Sequence, residues 1–281
     1  MRSVGVARPV LKWAGGKSRL VTEICAHFPE QIHTYYEPFM GGAAVFFALA
    51  KQKRFKQAVL SDRNPELVNV YTAIKSDVDG VIKALRRWKY DRETYYRVRD
   101  QFKRSPTPAE RAARTIYLNK TGYNGLYRVN RSGMFNVPFG RYTNPTICDE
   151  ANLRLVAECL KAVTLIEADF AEVCALAKSG DAVYFDPPYL PVSSTAYFTS
   201  YDKHPFGLPD HERLAKEFSK LARRKVTAVL SNSDTPETQS LFEPWTVAHL
   251  QVPRAINSRA SKRGPVSELL VVNRKSNGSR A

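Results

Sequence analysis

The sequence predicts an α/β fold: a single sheet interrupted by a basic helical insertion at roughly residues 66–148. Three observations carry this. Short apolar runs of strand length occur on both sides of the insertion. The first run closes on a glycine pair and the second on an acid. Between the two blocks the texture turns helical and then loses its periodicity.

TYYEPF (34–39) reads as the first strand, ending at Gly41-Gly42, and AAVFFALA (43–50) has helical composition. QAVLSD (57–62) is a second strand, closed by Asp62. Residues 66–116 are mostly helical: LVNVYTAIK and GVIKALRRW carry apolar residues about 3–4 apart, punctuated by Asp77, Pro106 and Pro108. Residues 119–147 are rich in Gly, Asn and Pro and read as a loop-rich surface or a short hairpin. Strand texture returns in VTLIEAD (163–169), DAVYFDPPY (181–189), KVTAVLSNSD (225–234), WTVAHLQV (245–252) and SELLVVNR (267–274).

Of 281 residues, 43 are Lys or Arg and 27 are Asp or Glu, for a net charge of +16. The sequence pI of about 9.7 is a nucleic-acid footprint; a generally basic surface is the plain alternative. From Arg111 to Cys148 there is no acid, while Arg111, Arg114, Lys120, Arg128, Arg131 and Arg141 alternate with Tyr117, Tyr123, Tyr127, Phe135, Phe139 and Tyr142. Such interleaving suits phosphate contact plus base stacking. Lys83 to Arg104 is a second basic run, and Arg254, Arg259, Lys262 and Arg263 make the tail basic. Apolar residues are 43% of the chain, enough for a core. Cys25, Cys148, Cys159 and Cys174 make no C-x-x-C pair, which argues against a zinc knuckle or a disulfide framework and fits a reducing cytoplasm. His27, His33, His204, His211 and His249 show no ligand spacing, so no metal is expected and these are read as surface or structural residues. No run of about 18 apolar residues or secretory leader is seen, so no membrane span is expected.

Lys12-Trp13-Ala14-Gly15-Gly16-Lys17-Ser18 invites a P-loop reading, but Leu11 stands where that motif needs its first glycine. Gly15-Gly16 still permits close backbone approach, and Lys17 can pair with a carboxylate or phosphate; the alternative is a helix-start turn with an exposed lysine. Glu37-Pro38-Phe39-Met40-Gly41-Gly42 ends a strand and opens a helix, and Asp62 follows about 20 residues on, the spacing by which an acid accepts from ribose hydroxyls. The full G-x-G-x-x-G is absent, so an adenosine ligand without phosphates fits better than NAD, and an ordinary strand–helix turn is the alternative.

Asp186-Pro187-Pro188-Tyr189 follows the apolar strand Ala182–Phe185. Two prolines stiffen the backbone and leave carbonyls free to accept. Adenine N6 is a poor nucleophile because its lone pair is delocalised into the ring. A carboxylate and a backbone carbonyl accepting its two N–H groups localise that pair, which Asp186 and the Pro187 carbonyl can do while Tyr189 stacks on the base.

These residues resemble a family: the DNA adenine-N6 methyltransferases of the Dam type, the alpha-ordered D12 class. The resemblance covers nearly the whole chain, through LKWAGGK (11–17), EPFMGG (37–42), LSDRN (60–64), TGYNGLYRVN (121–130), FNVPFGRY (135–142), FDPPY (185–189), TAYFTSY (195–201) and LSNSD (230–234). The departure is Ala43, where family members commonly carry a second glycine.

The resemblance implies a Rossmann-like methyltransferase sheet formed by residues 1–65 and 149–281, with a target-recognition domain at 66–148. It implies S-adenosylmethionine as cofactor, S-adenosylhomocysteine as product, no metal, duplex DNA as partner, a monomer, and a place at the nucleoid in the cytoplasm. Trp13, Lys17, Gly41, Gly42, Asp62 and Asp186 would form the cofactor site, and Asp186, Pro187 and Tyr189 would hold the target adenine. Lys12, Tyr123, Asn124, Leu126, Arg128, Pro138, Arg141 and Tyr142 match positions that touch DNA bases or backbone, or intercalate beside the flipped adenine. Close relatives in this respect usually modify adenine in GATC. An RNA or protein methyltransferase would share the cofactor half, but protein-amide and cytosine-N4 enzymes tend to carry Asn or Ser at the position of Asp186. A non-catalytic DNA-binding module would need neither Asp186 nor Asp62.

Overall fold

The computed structural model describes residues 5–273 apart from 14, 18, 102–105, 131, 191–205, 244 and 254–264. TAYFTSY (195–201), His204, Arg104, Arg131 and the basic tail residues Arg254, Arg259, Lys262 and Arg263 lie outside the described residues.

The chain runs α1 (Val21–Ala26), β1 (Ile32–Glu37), α2 (Ala44–Lys51), β2 (Phe55–Asp62), α3 (Pro65–Ser76), α4 (Val78–Leu85), α5 (Arg92–Asp100) and α6 (Pro108–Thr121). It continues through α7 (Glu150–Leu160), β3 (Val163–Glu167), α8 (Phe170–Leu176), β4 (Ala182–Phe185), α9 (Leu208–Arg223), β5 (Thr227–Ser233), α10 (Pro236–Phe242), β6 (Thr246–Pro253) and β7 (Pro265–Val272). Caps explain several starts. Asn64 accepts from Glu66 N with Pro65 at the first helical position, and Thr107 and Glu110 close a capping box ahead of α6. Pro108 therefore opens a helix instead of separating two. Asp169, read as the end of a strand, is the N-cap of α8, because its carboxylate accepts from Ala171 N.

The strands form one sheet in the order β3-β2-β1-β4-β5-β7-β6, and every strand predicted from the sequence is in it. All neighbours are parallel except β7, which slots antiparallel between β5 and β6. Alternate residues feed two cores, as the pleat requires. Tyr35, Ala58, Leu60, Tyr184, Val229, Leu270 and Val272 face one; Tyr36, Val183, Phe185, Ala228, Leu230, Leu269 and Val271 face the other, against α8, α9 and α10. The sheet is covered on both sides, the doubly wound α/β arrangement.

The first core continues without a break into the inserted helices through Val70, Ile74, Val81, Leu85, Tyr95 and Ile116. Helix α3 ties the two parts together: it packs on β3 and α6, and Lys75 Nζ donates to the carbonyl of Val163 at 2.7 Å.

Candidate active site

Strands β1 and β4 are neighbours, yet the chain leaves β1 toward β2 and leaves β4 toward β5. This is the switch point at which an open α/β sheet forms a crevice beyond its strand ends. The glycine turn follows β1, and the Asp-Pro-Pro-Tyr segment follows β4. Both sequence candidates therefore meet at one crevice.

The turn is tight. Gly41 has φ +43° and Ala43 φ 54°, both left-handed. A Cβ on Gly41 would lie 2.7 Å from Trp13 Cδ1, so the indole rests directly on that backbone. Asp62 closes the other side: Oδ2 accepts from Gly41 N at 3.3 Å and Oδ1 from Asn64 N at 3.0 Å. Trp13, Gly41, Gly42 and Asp62 are thus gathered, and Tyr127 backs the indole at 5.4 Å.

Lys17 is not the exposed lysine of the alternative reading. It is only 4% exposed, its Nζ lies 2.7 Å from Asp186 Oδ1, and it also donates to the Gly15 carbonyl at 2.5 Å. The Asp186 side chain keeps 22% of its surface open to the crevice. Burial pushes its carboxyl above the ordinary range, and Lys17 pulls it back. The ammonium also sits 4.8 Å over the Tyr189 ring. The Tyr189 hydroxyl donates to Glu268 Oε2 at 2.8 Å, while burial, Asp186 and Glu268 together keep the phenol protonated.

Beneath the crevice the support is polar and buried. Glu37 Oε2 accepts from the Tyr35 hydroxyl at 2.7 Å and from Phe46 N at 3.1 Å; burial raises its carboxyl to about 8. The Tyr184 and Ser231 hydroxyls are 2.6 Å apart. His211 is fully buried against Asn232, with Nδ1 and Nδ2 at 3.2 Å, and faces the Pro188 backbone; burial lowers it to about 4, so it stays neutral.

Residues 121–142 fold back on themselves as a short hairpin. Val129 pairs with Phe135 and Gly122 with Phe139, and Tyr123 N donates to the Pro138 carbonyl at 2.9 Å. Tyr123, Asn124, Arg128, Pro138 and Arg141 are exposed, and Leu126 and Tyr142 half-buried. Lys12 Nζ sits 4.4 Å over the Tyr142 ring, on the same surface. The Arg128 guanidinium lies along the hairpin, its Nε donating to Asn136 Oδ1 at 2.7 Å. Two tyrosine hydroxyls hold the loop through its carbonyls: Tyr90, between α4 and α5, bonds Gly140, and Tyr95 of α5 bonds Val137, each at 2.9 Å.

The interleaved basic and aromatic pattern is only partly a surface pattern. Tyr117, Tyr127 and Phe135 are core residues. Arg111 pairs with Glu66 at 2.5 Å, and Arg114 donates to the Val98 and Arg99 carbonyls. These side chains also build the packing of residues 66–148.

Several contributors escaped the sequence reading. Asn119 is fully buried; it accepts from Lys12 N and donates to the carbonyls of Lys12 and Gly125, each at 2.8 Å. It sits in the matched motif region beside TGYNG, which is the one signal that pointed there. Glu268 had no such signal. Among the described residues no three His, Cys, Asp or Glu side chains gather as a metal site, and no helix is long and apolar enough to cross a membrane.

The chain also has matches among known proteins. A family model described as D12 class N6 adenine-specific DNA methyltransferase matches residues 13–256. The chain is 41% identical over 285 residues to the type II methyltransferase M.MjaIII of Methanocaldococcus jannaschii, covering 95% of this chain and 99% of the relative. It is 37% identical to the type II methyltransferase M1.LlaDCHI of Lactococcus lactis, covering 95% of each. It is 36% identical to the DNA adenine methylase of Escherichia coli K12, covering 94% of this chain and 95% of that one.

Proposed function

The chain belongs to the D12 class of N6 adenine-specific DNA methyltransferases, and from that premise we propose that it methylates N6 of an adenine flipped out of duplex DNA, within GATC, using S-adenosylmethionine. The observation that carries the reading is the juxtaposition of Asp186 with Lys17 and the glycine turn at one switch-point crevice.

The residues there fit the cofactor by their chemistry. The Trp13 indole, set directly on the Gly41 backbone, offers an apolar aromatic face to an adenine ring. Asp62 at the tip of β2 suits ribose hydroxyls. An ammonium and a carboxylate side by side, Lys17 and Asp186, complement the carboxylate and amine of the methionine end. When bound, the cofactor supplies an electrophilic methyl group on a sulfonium centre.

Asp186 and the Pro187 carbonyl accept hydrogen bonds from the two N6 N–H groups and localise the nitrogen lone pair, and Tyr189 stacks on the base. Positioning and fixed charge then supply most of the rate, and no covalent enzyme–base adduct is involved. Flipping costs a few kcal/mol of unstacking. The exposed hairpin residues Tyr123, Asn124, Arg128, Pro138 and Arg141, with Leu126, Tyr142 and Lys12, form the DNA surface, and residues 66–148 act as the recognition unit.

The test is to incubate the protein with S-adenosylmethionine and random-sequence DNA and to map the modified bases. N6-methyladenine confined to GATC is the expected result. Methylation at another site corrects the specificity alone, and DNA free of N6-methyladenine overturns the proposal.

A further inference from the structure

We infer that Glu268 is a positioning residue for methyl transfer: its carboxylate fixes the ring of Tyr189, and through it the flipped base. The inference rests on the function proposed above.

Glu268 lies in β7, far from every motif of the crevice in sequence. It reaches the site because β7 runs antiparallel to its neighbours. An early residue of that strand therefore comes level with Ser233, at the C-terminal end of β5. There its Oε2 accepts from the Tyr189 hydroxyl at 2.8 Å across a sequence separation of 79 residues. A phenol donating to a carboxylate is a charge-assisted bond, stronger and more directional than a neutral one. Lys17 Nζ lies 4.8 Å over the same ring, and Lys17 is itself bonded to Asp186. The ring is thus held at its hydroxyl end by Glu268 and over one face by Lys17.

The main chain is tethered at the same place. Ser233 Oγ donates to the Leu190 carbonyl at 3.2 Å, so the residues facing each other in β5 and β7 hold side chain and backbone of consecutive residues. A stacking ring does its work only if its plane is set before the base arrives. A tyrosine loose at its hydroxyl end would leave N6 misaligned with the methyl donor and cost rate without costing cofactor affinity.

The experiment compares Glu268→Ala, Glu268→Gln, Tyr189→Phe and the double variant Glu268→Ala/Tyr189→Phe in the full chain. It reads single-turnover methylation, cofactor affinity, thermal midpoint, and the fluorescence of DNA carrying 2-aminopurine at the mapped target position. Loss of a hydrogen bond to a charged group predicts a rate about 10- to 100-fold lower for Glu268→Ala. Cofactor affinity and melting should stay near wild type, and the 2-aminopurine signal should change. Glu268→Gln keeps an acceptor and should recover most of the rate. Tyr189→Phe should match Glu268→Ala, and the double variant should be no slower than the slower single one. Independent, multiplying losses overturn the inference, as does an unchanged rate or a loss confined to cofactor affinity. Should Glu268→Ala fail to fold, Glu268→Gln and Tyr189→Phe still decide: a phenylalanine variant as fast as wild type sinks it. If the wild-type protein makes no N6-methyladenine, the proposed function fails; if it does and only these variants behave normally, Glu268 alone is wrongly assigned.

Discussion

Lys17 and Asp186 form an ion pair at 2.7 Å in which the ammonium is almost entirely buried and the carboxylate faces the crevice. The two come from opposite parts of the chain, and neither is well placed without the other. A buried lysine stripped of its partner costs up to about 3–5 kcal/mol. Asp186→Ala should therefore lower the melting midpoint as well as activity. Asp186→Asn keeps the shape and an acceptor for Lys17 but removes the charge, so it should melt between wild type and Asp186→Ala. Both variants should lose methylation by at least about 100-fold, the usual cost of deleting one aligned electrostatic group. DNA affinity, measured by anisotropy, should hold within a few-fold. Near-wild-type turnover by Asp186→Asn would remove Asp186 from the chemistry.

The glycine turn makes a second prediction. Gly41→Ala places a methyl 2.7 Å from Trp13 Cδ1 at a backbone φ of +43°. The left-handed cost alone is about 1–2 kcal/mol, and the indole must also move. Cofactor affinity should fall by about tenfold or more, read by calorimetry. Ala43 is the informative control, since it already sits at φ 54°. Ala43→Gly would gain about 1–2 kcal/mol of backbone relief. It would lose about 0.8 kcal/mol for the buried methyl and about 0.4–1 kcal/mol through the freer unfolded chain. The sum is close to zero, so this departure from the family should leave stability and cofactor affinity unchanged. A large shift in either would show that Ala43 has a role of its own.

Asn119 links the two halves of the site, holding Lys12 by its N–H and carbonyl and Gly125 by its carbonyl. Gly125 itself has φ +64° and would bring a Cβ within 2.6 Å of Lys12 Cδ, so the loop and the N-terminal segment are in direct contact. Asn119→Ala strands a buried N–H and two carbonyls, each worth about 1–3 kcal/mol when unsatisfied. The melting midpoint should drop clearly, and DNA affinity should fall with it because Lys12 and the hairpin lose their common anchor. Stability loss with DNA affinity intact would confine Asn119 to the core.

What the sequence disclosed follows from the range of the interactions involved. Strand runs such as QAVLSD and DAVYFDPPY are local patterns, and all of them lie in the sheet. The glycine turn and Asp186 were legible because they sit at strand ends, where a motif and its structural context coincide. Counting cations did not separate Arg128, on the surface, from Arg114, which spends its guanidinium on the Val98 and Arg99 carbonyls. Glu268 was illegible because its partner is 79 residues away and the contact depends on the reversed direction of β7. Helix α9 was within reach: Leu214, Phe218 and Leu221 repeat at helical spacing on its buried face.

The last prediction concerns pH. Glu37 is buried with its carboxyl raised to about 8 from an ordinary 4.5, and His211 is buried with its ring lowered to about 4 from 6.5. Between 4.5 and 8 the unfolded chain releases the Glu37 proton while the folded protein keeps it, so this group makes stability fall as pH rises. Between 4 and 6.5 the unfolded chain binds a proton at His211 that the folded protein refuses, so this group makes stability rise with pH. The slopes are opposite and of similar size where the windows overlap, and they cancel there. Above 6.5 His211 no longer opposes Glu37, and stability should decline toward pH 8. Melting curves from pH 5 to 8.5 should be nearly flat at first and then fall. Glu37→Gln, which keeps the acceptor for Tyr35 and Phe46 and cannot ionise, should abolish the decline. The same decline in wild type and Glu37→Gln would assign it to another group.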